Sequence, residues 1–154
     1  IANNTERMRI DTAGLITGTG TSLGAWTAYT PTLGGTGWAI GDGTATGAYC
    51  RIGKIVHWYA LITLGATSTA GASPLTVSTP VTIVANSINA QVKTQDVSAG
   101  TDYGNVTAVG GTTAVTPVAA NGTNGAYSSY YTTTAPFTWA TGDTVLIRGT
   151  AETT

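Results

Sequence analysis

Charged side chains are scarce in this sequence. They make up 8% of its residues, against about 25% in an ordinary globular domain. The six Lys and Arg residues are scattered along the chain, and the formal net charge is −1. Nucleic-acid binding depends on clustered basic residues that displace counterions, so we exclude nucleic acid as a partner. Solubility must come from Thr, Ser, Asn and Gln instead.

The sequence also has little of what metal and redox sites need. Cys50 is the single cysteine and His57 the single histidine, which excludes an internal disulfide and the usual zinc spacings. No calcium-binding loop of alternating Asp residues occurs. We therefore expect no metal and no cofactor. A Cys50–His57 pair of nucleophile and base is the alternative that stays open.

Long apolar runs are absent. No stretch of about 18 apolar residues could form a membrane-spanning helix, so we expect no membrane insertion. The first residues lack the charged and apolar regions of a signal peptide, and the sequence begins with Ile1. We interpret the chain as a fragment of a longer polypeptide.

Gly and Thr are abundant instead. The 21 glycines supply turns and bulges, and the β-branched Thr favours strands. Turn signals recur roughly every 8–12 residues, as in proteins of short antiparallel strands. We predict an all-β chain whose main unit, residues 25–154, is an antiparallel, jelly-roll-like β-sandwich.

The first 24 residues show a different pattern. Met8 and Ile10 alternate with charged residues, which predicts a strand with one apolar face, and residues 15–17 could return as a second strand. Residues 18–24 are predicted to be a flexible hinge. A lone hairpin is marginal in water, so we expect this N-terminal β arm to pair with copies of itself or to dock on the main unit.

The strongest local signal is a β-hairpin. Residues 46–52 and 55–64 flank Gly53-Lys54, and a two-residue connection that begins with Gly suits a type II′ turn. Both faces of the second strand are largely apolar, which predicts a central strand covered by the core on one side and by another subunit on the other. With two residues of the arm, the candidate interface set is Met8, Ile10, Ile55, His57, Tyr59 and Leu61.

Acid–base hydrolysis needs two carboxylates about 5–10 Å apart. The candidates are Asp42, Asp96, Asp102 and Asp143. Asp side chains commonly bond the downstream backbone of their own turn, and no Gly-x-Ser-x-Gly nucleophile elbow occurs. We therefore predict carboxylates with turn roles, a packed or interfacial His57, and no enzymatic activity.

Aromatic residues in loop-like segments are the candidates for binding. Their flat rings can stack on sugars, and neighbouring Asn and Asp side chains can bond hydroxyl groups. The alternative is that these rings pack beneath long loops. Trp26, Trp58 and Tyr59 lie in strand-like segments and are expected in the core or an interface. The candidate ligand-binding set is Trp38, Asp102, Tyr103, Asn121, Asn124, Tyr127, Tyr130 and Tyr131.

Four ordered motifs point to a known family. Residues 6–11 read E-R-M-R-I-D and precede Gly14, residues 26–32 read W-T-A-Y-T-P-T, residues 43–54 end in R-I-G-K, and residues 136–143 read P-F-T-W-A-T-G-D. This set resembles the distal domain of bacteriophage tail fibre and minor tail proteins. Residues from about 65 to 134 match nothing in that pattern.

The resemblance implies a homotrimeric fibre tip at the outer end of the virion, outside the cell. Such a tip binds a glycan or receptor on the host-cell surface, and residues 1–24 would join it to the rest of the fibre. No catalytic residue is carried over, because the matching positions have structural roles. Two alternatives stay open: a purely structural virion fibre or decoration protein without a ligand, and a tailspike-like domain that degrades polysaccharide. A carboxylate pair in an open groove would favour the last of these.

Overall fold

The computed structural model describes residues 8–10, 16–18, 21–22, 24–110, 112–120 and 127–154, and the side chains of residues 24–103, 112–119 and 129–154 among them. These residues form β-strands and no helix, which confirms the all-β prediction, and accordingly they hold no helix able to cross a membrane. The strands are β1 (Met8–Ile10), β2 (Ile16–Gly18), β3 (Thr21–Ser22), β4 (Thr27–Tyr29), β5 (Leu33–Gly34), β6 (Thr44–Ile52), β7 (Ile55–Thr63), β8 (Thr76–Ser78), β9 (Asn89–Asp96), β10 (Thr101–Gly110), β11 (Ala114–Ala120), β12 (Tyr127–Tyr130) and β13 (Thr144–Glu152).

The strands form two antiparallel sheets, and the smaller one is N-terminal. It has the order β1-β2-β3, with Met8 opposite Gly18 and Thr17 opposite Ser22. The first two strands pair as expected for the arm, whereas β3 lies inside the segment predicted to be a hinge. The side chains of Met8 and Ile10 lie outside the described set. The division of the chain near residue 24 stays a prediction.

The larger sheet has ten strands and must curl. Its order is β4-β6-β7-β13-β9-β10-β11-β8-β5, with β12 paired to β11. Strands lie about 4.8 Å apart, so a flat path would separate β4 from β5 by roughly 38 Å. Yet residues 30–32 alone join Tyr29 at the end of β4 to Leu33 at the start of β5, a link that reaches about 14 Å at most. The two ends of the sheet therefore approach each other.

The curled sheet encloses one core. Val56 and Trp58 on β7 share a cluster of buried side chains with Val77 on β8 and Val115 on β11, although these strands are far apart in the sheet order. The two halves of the sheet thus pack against each other. The predicted central position of β7 is confirmed, because β7 pairs with β6 on one side and with β13 on the other.

The predicted hairpin is confirmed, but its second strand is covered on one face alone. Ile52 pairs with Ile55 across Gly53-Lys54, and Gly53 has a φ of 60°, the positive value that the first turn position of type II′ requires. The inward residues of β7 are buried. The outward residues are open within one chain: Ile55 is 40% exposed, and His57 and Tyr59 are exposed as well. The outer face is open in the single chain, and its cover by another subunit stays a prediction.

Two Gly-rich loops, residues 35–43 and 64–75, are tied together at one end of the sheet. Ala39 and Thr69 exchange backbone hydrogen bonds of 3.1 and 2.9 Å. The Thr67 backbone N–H and hydroxyl donate to Asp42 Oδ1 at 2.7 and 2.9 Å, and Trp38 Nε1 donates to the Ser73 carbonyl at 2.8 Å. Each bond crosses from one loop to the other and joins the two loops.

Candidate functional site

Three neighbouring strands, β7, β13 and β9, present a polar and aromatic outer face. Side chains alternate between the two faces of a strand, so the residues between the buried positions point outward. Directly opposed residues on adjacent strands lie close enough for their side chains to interact. The strand registers align the outward residues of all three strands into two rows, Tyr59–Arg148–Gln91 and His57–Thr150–Asn89.

These two rows line a groove of about 530 Å³, a volume within the ~300–1,000 Å³ range of small-ligand sites. Trp26, just before β4, forms one side and is 59% exposed. Its ring centroid lies 6.1 Å from that of Tyr59, with the planes 50° apart. Tyr59 is 37% exposed. The two rings therefore make an aromatic wall beside the polar rows.

The floor of the groove is fixed by a close fit between β7 and β13. Trp58 is paired with Gly149 and fills the space that a side chain there would need, since a Cβ on Gly149 would lie 2.8 Å from Trp58 Nε1. That Nε1 is buried without a hydrogen-bond partner among the described residues. In the second row, His57 Nδ1 lies 3.0 Å from Thr150 Oγ1, and this hydrogen bond orients the imidazole.

The groove carries positive charge. Arg148 lines it, and no carboxylate is among its described lining residues. Lys93, two residues beyond Gln91 on the same face, forms an ion pair of 2.8 Å with Asp102. Both partners are about half exposed, so the pair contributes at most ~1 kcal/mol, but each charge offsets the other. The Arg148 guanidinium is thus the charge that a ligand in the groove would meet.

Two residues predicted to bind a ligand from loops belong to the core instead. Trp38 is 8% exposed, and its ring lies edge-on to Trp139 at 5.6 Å. Tyr131 is 0% exposed, and its hydroxyl forms a 2.7 Å hydrogen bond with Thr94 Oγ1. The alternative to exposure was that these rings pack beneath loops. Trp38 and Tyr131 do so, because segments that are distant in the chain cover them. The prediction of surface sites at Trp38 and Tyr131 is therefore wrong.

The other predicted loop residues do not lie in the groove. Tyr103 is half-buried, with its ring 5.0 Å from that of Phe137, and Asp102 is engaged by Lys93. Tyr130 is 48% exposed. Three residues lie outside the set whose side chains are described: Asn121, Asn124 and Tyr127.

The predicted interface residues of β7 share the outer face. Ile55, His57 and Tyr59 are exposed, and Leu61 is half-buried. Their common orientation is what an interface requires, but His57 and Tyr59 also line the groove. Trp26, expected in the core or an interface, is open to solvent in the single chain and forms the wall of the groove.

The sequence reasoning missed the polar side of the groove. Asn89, Gln91, Arg148 and Thr150 were not singled out, although β9 alternates exposed polar residues with buried ones. That alternation identifies an outward face. It does not reveal that β13 lies between β7 and β9, and this insertion is what aligns the two rows.

The carboxylates have structural partners. Asp143 is buried, with Oδ1 accepting from Val97 N–H at 2.9 Å and Oδ2 from Ala140 N–H at 2.6 Å. These bonds reach a preceding residue and another loop, so the expected bond to its own downstream turn is wrong for Asp143. The Ser98 hydroxyl and then the Ala99 N–H, by donating to the carboxylate, hold the pKa of Asp96 below its usual range.

Asp42 is bonded in a similar way to a neighbouring loop. The Thr67 backbone N–H and then its hydroxyl donate to the carboxylate, and both hydrogen bonds lower the pKa of Asp42. Neither Asp42, Asp96, Asp102 nor Asp143 is among the described lining residues of the groove. A pair of catalytic carboxylates therefore has no support in this groove.

Cys50 and His57 lie directly opposite each other on β6 and β7. Cys50 is buried, and a Cβ on Gly24 would lie 3.7 Å from its Sγ, so the chain near Gly24 covers the thiol. No hydrogen bond joins Cys50 to His57 in the described contacts, and His57 Nδ1 is engaged by Thr150. The geometry does not support a pair of nucleophile and base.

Comparisons of the chain with models of protein families, with curated proteins and with solved structures found no match. The described residues hold no group of three or more His, Cys, Asp or Glu side chains that could bind a metal ion. The function therefore has to be argued from the groove and from the sequence motifs.

Proposed function

We propose that this chain is a non-enzymatic tip domain of a bacteriophage tail fibre, which attaches the virion to a glycan or another receptor on the host-cell surface. The observation that carries the proposal is the groove on the outer face of β7, β13 and β9. Trp26 and Tyr59 offer flat apolar rings there, and two rows of polar side chains lie beside them. Apolar surface next to a few directed polar groups is the usual composition of a recognition site. The motif resemblance supplies the virion setting.

The proposed fold of this tip is a jelly-roll-like β-sandwich. The short link between β4 and β5 and the core shared by β7, β8 and β11 support it, because both require the two halves of one sheet to face each other. In this arrangement the groove lies on the outside of the sandwich, where a large ligand can reach it.

We further propose that the tip works as a homotrimer, held together by the N-terminal arm with Met8 and Ile10. A subunit contact at the groove face would need a partner for the Arg148 guanidinium, since a guanidinium buried without one would be costly. We therefore assign His57 and Tyr59 to the groove and not to the trimer contact.

The proposal is tested with the labelled chain on a panel of bacterial strains. We expect binding to a subset of strains and a trimer mass by light scattering. Tyr59→Ala should abolish cell binding, whereas Tyr130→Ala, an exposed tyrosine outside the groove, should not. If the Tyr130→Ala variant lost binding and the Tyr59→Ala variant kept it, the contact would lie in the loops and not in the groove. If the chain bound no surface at all, the purely structural alternative would be favoured.

A further inference from the structure

We propose that the groove binds an acidic saccharide: one pyranose ring lies against Trp26 and Tyr59, and its carboxylate is held by Arg148. This inference rests on the proposed function and adds the class of ligand and the role of each side chain. It differs from the sequence prediction, which placed ligand contact at Trp38 and in residues 102–131.

The aromatic wall of Trp26 and Tyr59 is the proposed contact surface for the sugar ring. Trp26 and Tyr59 are both exposed large aromatics, inclined at 50° to each other with their centroids 6.1 Å apart. A pyranose has an apolar face of CH groups, which matches a flat ring, while its hydroxyls point sideways. Contiguous exposed apolar patches on a soluble domain mark interaction sites, unlike exposed apolar residues that are scattered singly. Two inclined rings offer a curved apolar surface, which suits a puckered sugar better than a flat peptide or base.

Arg148 is the proposed contact for the carboxylate of the ligand. It is directly opposite Tyr59 on one side and Gln91 on the other, so its guanidinium starts from the middle strand of the groove. The planar guanidinium binds carboxylates with two parallel hydrogen bonds. Because no carboxylate is among the described lining residues, an anionic ligand meets no like charge there. A neutral saccharide would leave this charge unused.

The amides and hydroxyl provide for the remaining polar groups. Gln91 and Asn89 lie two residues apart on β9 and are both exposed, and each amide can donate to one sugar hydroxyl and accept from another. Thr150 Oγ1 lies 3.0 Å from His57 Nδ1, and this hydrogen bond positions the hydroxyl. These groups stand on strands and not on loops, so they are positioned before the ligand arrives, which lowers the entropy cost of binding.

The test compares acidic saccharides with neutral partners of the same shape. The probes are trigalacturonate and sialyllactose, each measured against its own methyl ester by calorimetry at low ionic strength. We expect at least one acid to bind the wild-type chain about tenfold or more tightly than its neutral partner, the range of a charge-assisted pair of hydrogen bonds. Arg148→Gln should remove this preference, and Arg148→Lys should restore part of it.

Arg51→Gln is the matched control. Arg51 is an exposed arginine whose Nε donates to the Gly53 carbonyl at 3.0 Å, outside the groove, so its loss should leave the preference unchanged. Equal affinity for acid and neutral partner, or no binding of either acid, would overturn this inference. Cell binding that is lost in Tyr59→Ala would still support the proposed function in that case. If Arg148→Gln or Tyr59→Ala changed a trimer into a monomer, the face would be a subunit contact and the ligand assignment would be wrong.

Discussion

The hydrogen bond between Tyr131 and Thr94 gives the sharpest test of the core. Both side chains are fully buried, and their hydroxyls are 2.7 Å apart. Tyr131→Phe removes one hydroxyl and keeps the ring beside Trp139, whose centroid lies 5.7 Å away. Thr94→Val removes the other hydroxyl and keeps the β-branched shape. The two changes therefore perturb one interaction with little change in packing.

Each single change should leave a buried hydroxyl without a partner. An unsatisfied polar group in the interior costs about 1–3 kcal/mol, whereas replacing both partners by apolar groups of similar shape is close to neutral. We therefore expect each single variant to lose about 1–3 kcal/mol of unfolding free energy. The double variant should lose less than the sum of the two, and the difference is the coupling energy.

The measurement is equilibrium unfolding in urea, followed by tryptophan fluorescence for the wild type, both single variants and the double variant. All four must be compared at one chain concentration, because association would make stability depend on it. Sites that do not interact give additive losses to within ~0.5 kcal/mol. Additive losses in this cycle would refute the buried hydrogen bond. If Tyr131→Phe weakened cell binding and left stability intact, Tyr131 would be a surface contact after all.

Four further perturbations test the structure. Gly149→Ala should lose about 1–3 kcal/mol of unfolding free energy in urea by overpacking, because its Cβ would lie 2.8 Å from Trp58 Nε1. Trp58→Phe in the same chain should recover part of this loss. An unchanged urea midpoint for Gly149→Ala would contradict the close fit between Gly149 and Trp58. Asp143→Ala should lose about 2–4 kcal/mol of unfolding free energy by removing the acceptor of two backbone N–H groups. Hydrogen bonds to charged groups are worth ~1.5–3 kcal/mol each, and the freed groups partly bond to water instead. A melting temperature equal to that of the wild type would exclude this role of Asp143. Burial raises the pKa of Tyr131 to about 12, so the neutral form favours folding. Stability should be intact below pH ~10, where an unfolded tyrosine ionises, and Tyr131 should account for a loss of about 2 kcal/mol by pH 12. The Tyr131→Phe variant should lack this part of the loss in urea unfolding. The pKa values of Asp42 and Asp96 are lowered in the folded chain, so stability should also be lost as the pH falls below about 4. Asp42→Asn should reduce this loss at acid pH in pH-dependent melting curves.

Local features of the fold could be predicted from the sequence because they depend on neighbouring residues. The turn at Gly53-Lys54 needs a positive φ at its first position, and the two segments that it joins are adjacent in the chain. The run T-V-L-I-R-G-T at residues 144–150 favours a strand, and β13 lies there. Pro31 cannot donate to a strand ladder, which favours a sheet edge, and β4 just before it ends the strand order. Each of these depends on chemistry within about ten residues of chain.

Features that depend on distant pairing could not be predicted in this way. Trp38 is in a Gly-rich segment typical of an exposed loop, but the carbonyl of Ser73 accepts its indole N–H and Trp139 packs on its ring. Neither partner is near it in sequence. Tyr131 is also packed against a segment that is distant in sequence, and its hydroxyl forms a hydrogen bond with Thr94 on β9. Polar neighbours in sequence indicate exposure only where the chain does not fold back over the ring.

The groove is the strongest example of this limit, and it also explains why a charge-poor chain can bind selectively. Arg148 stands opposite Gln91 and Tyr59 because β13, from the end of the chain, lies between β9 and β7. With 8% charged residues in the chain, few other groups compete for an anion or screen this one from it. A single guanidinium beside two exposed aromatic rings is therefore the one permanent charge among the described lining residues of the groove. In a domain with ordinary charge content, the same residue would be one cation among many.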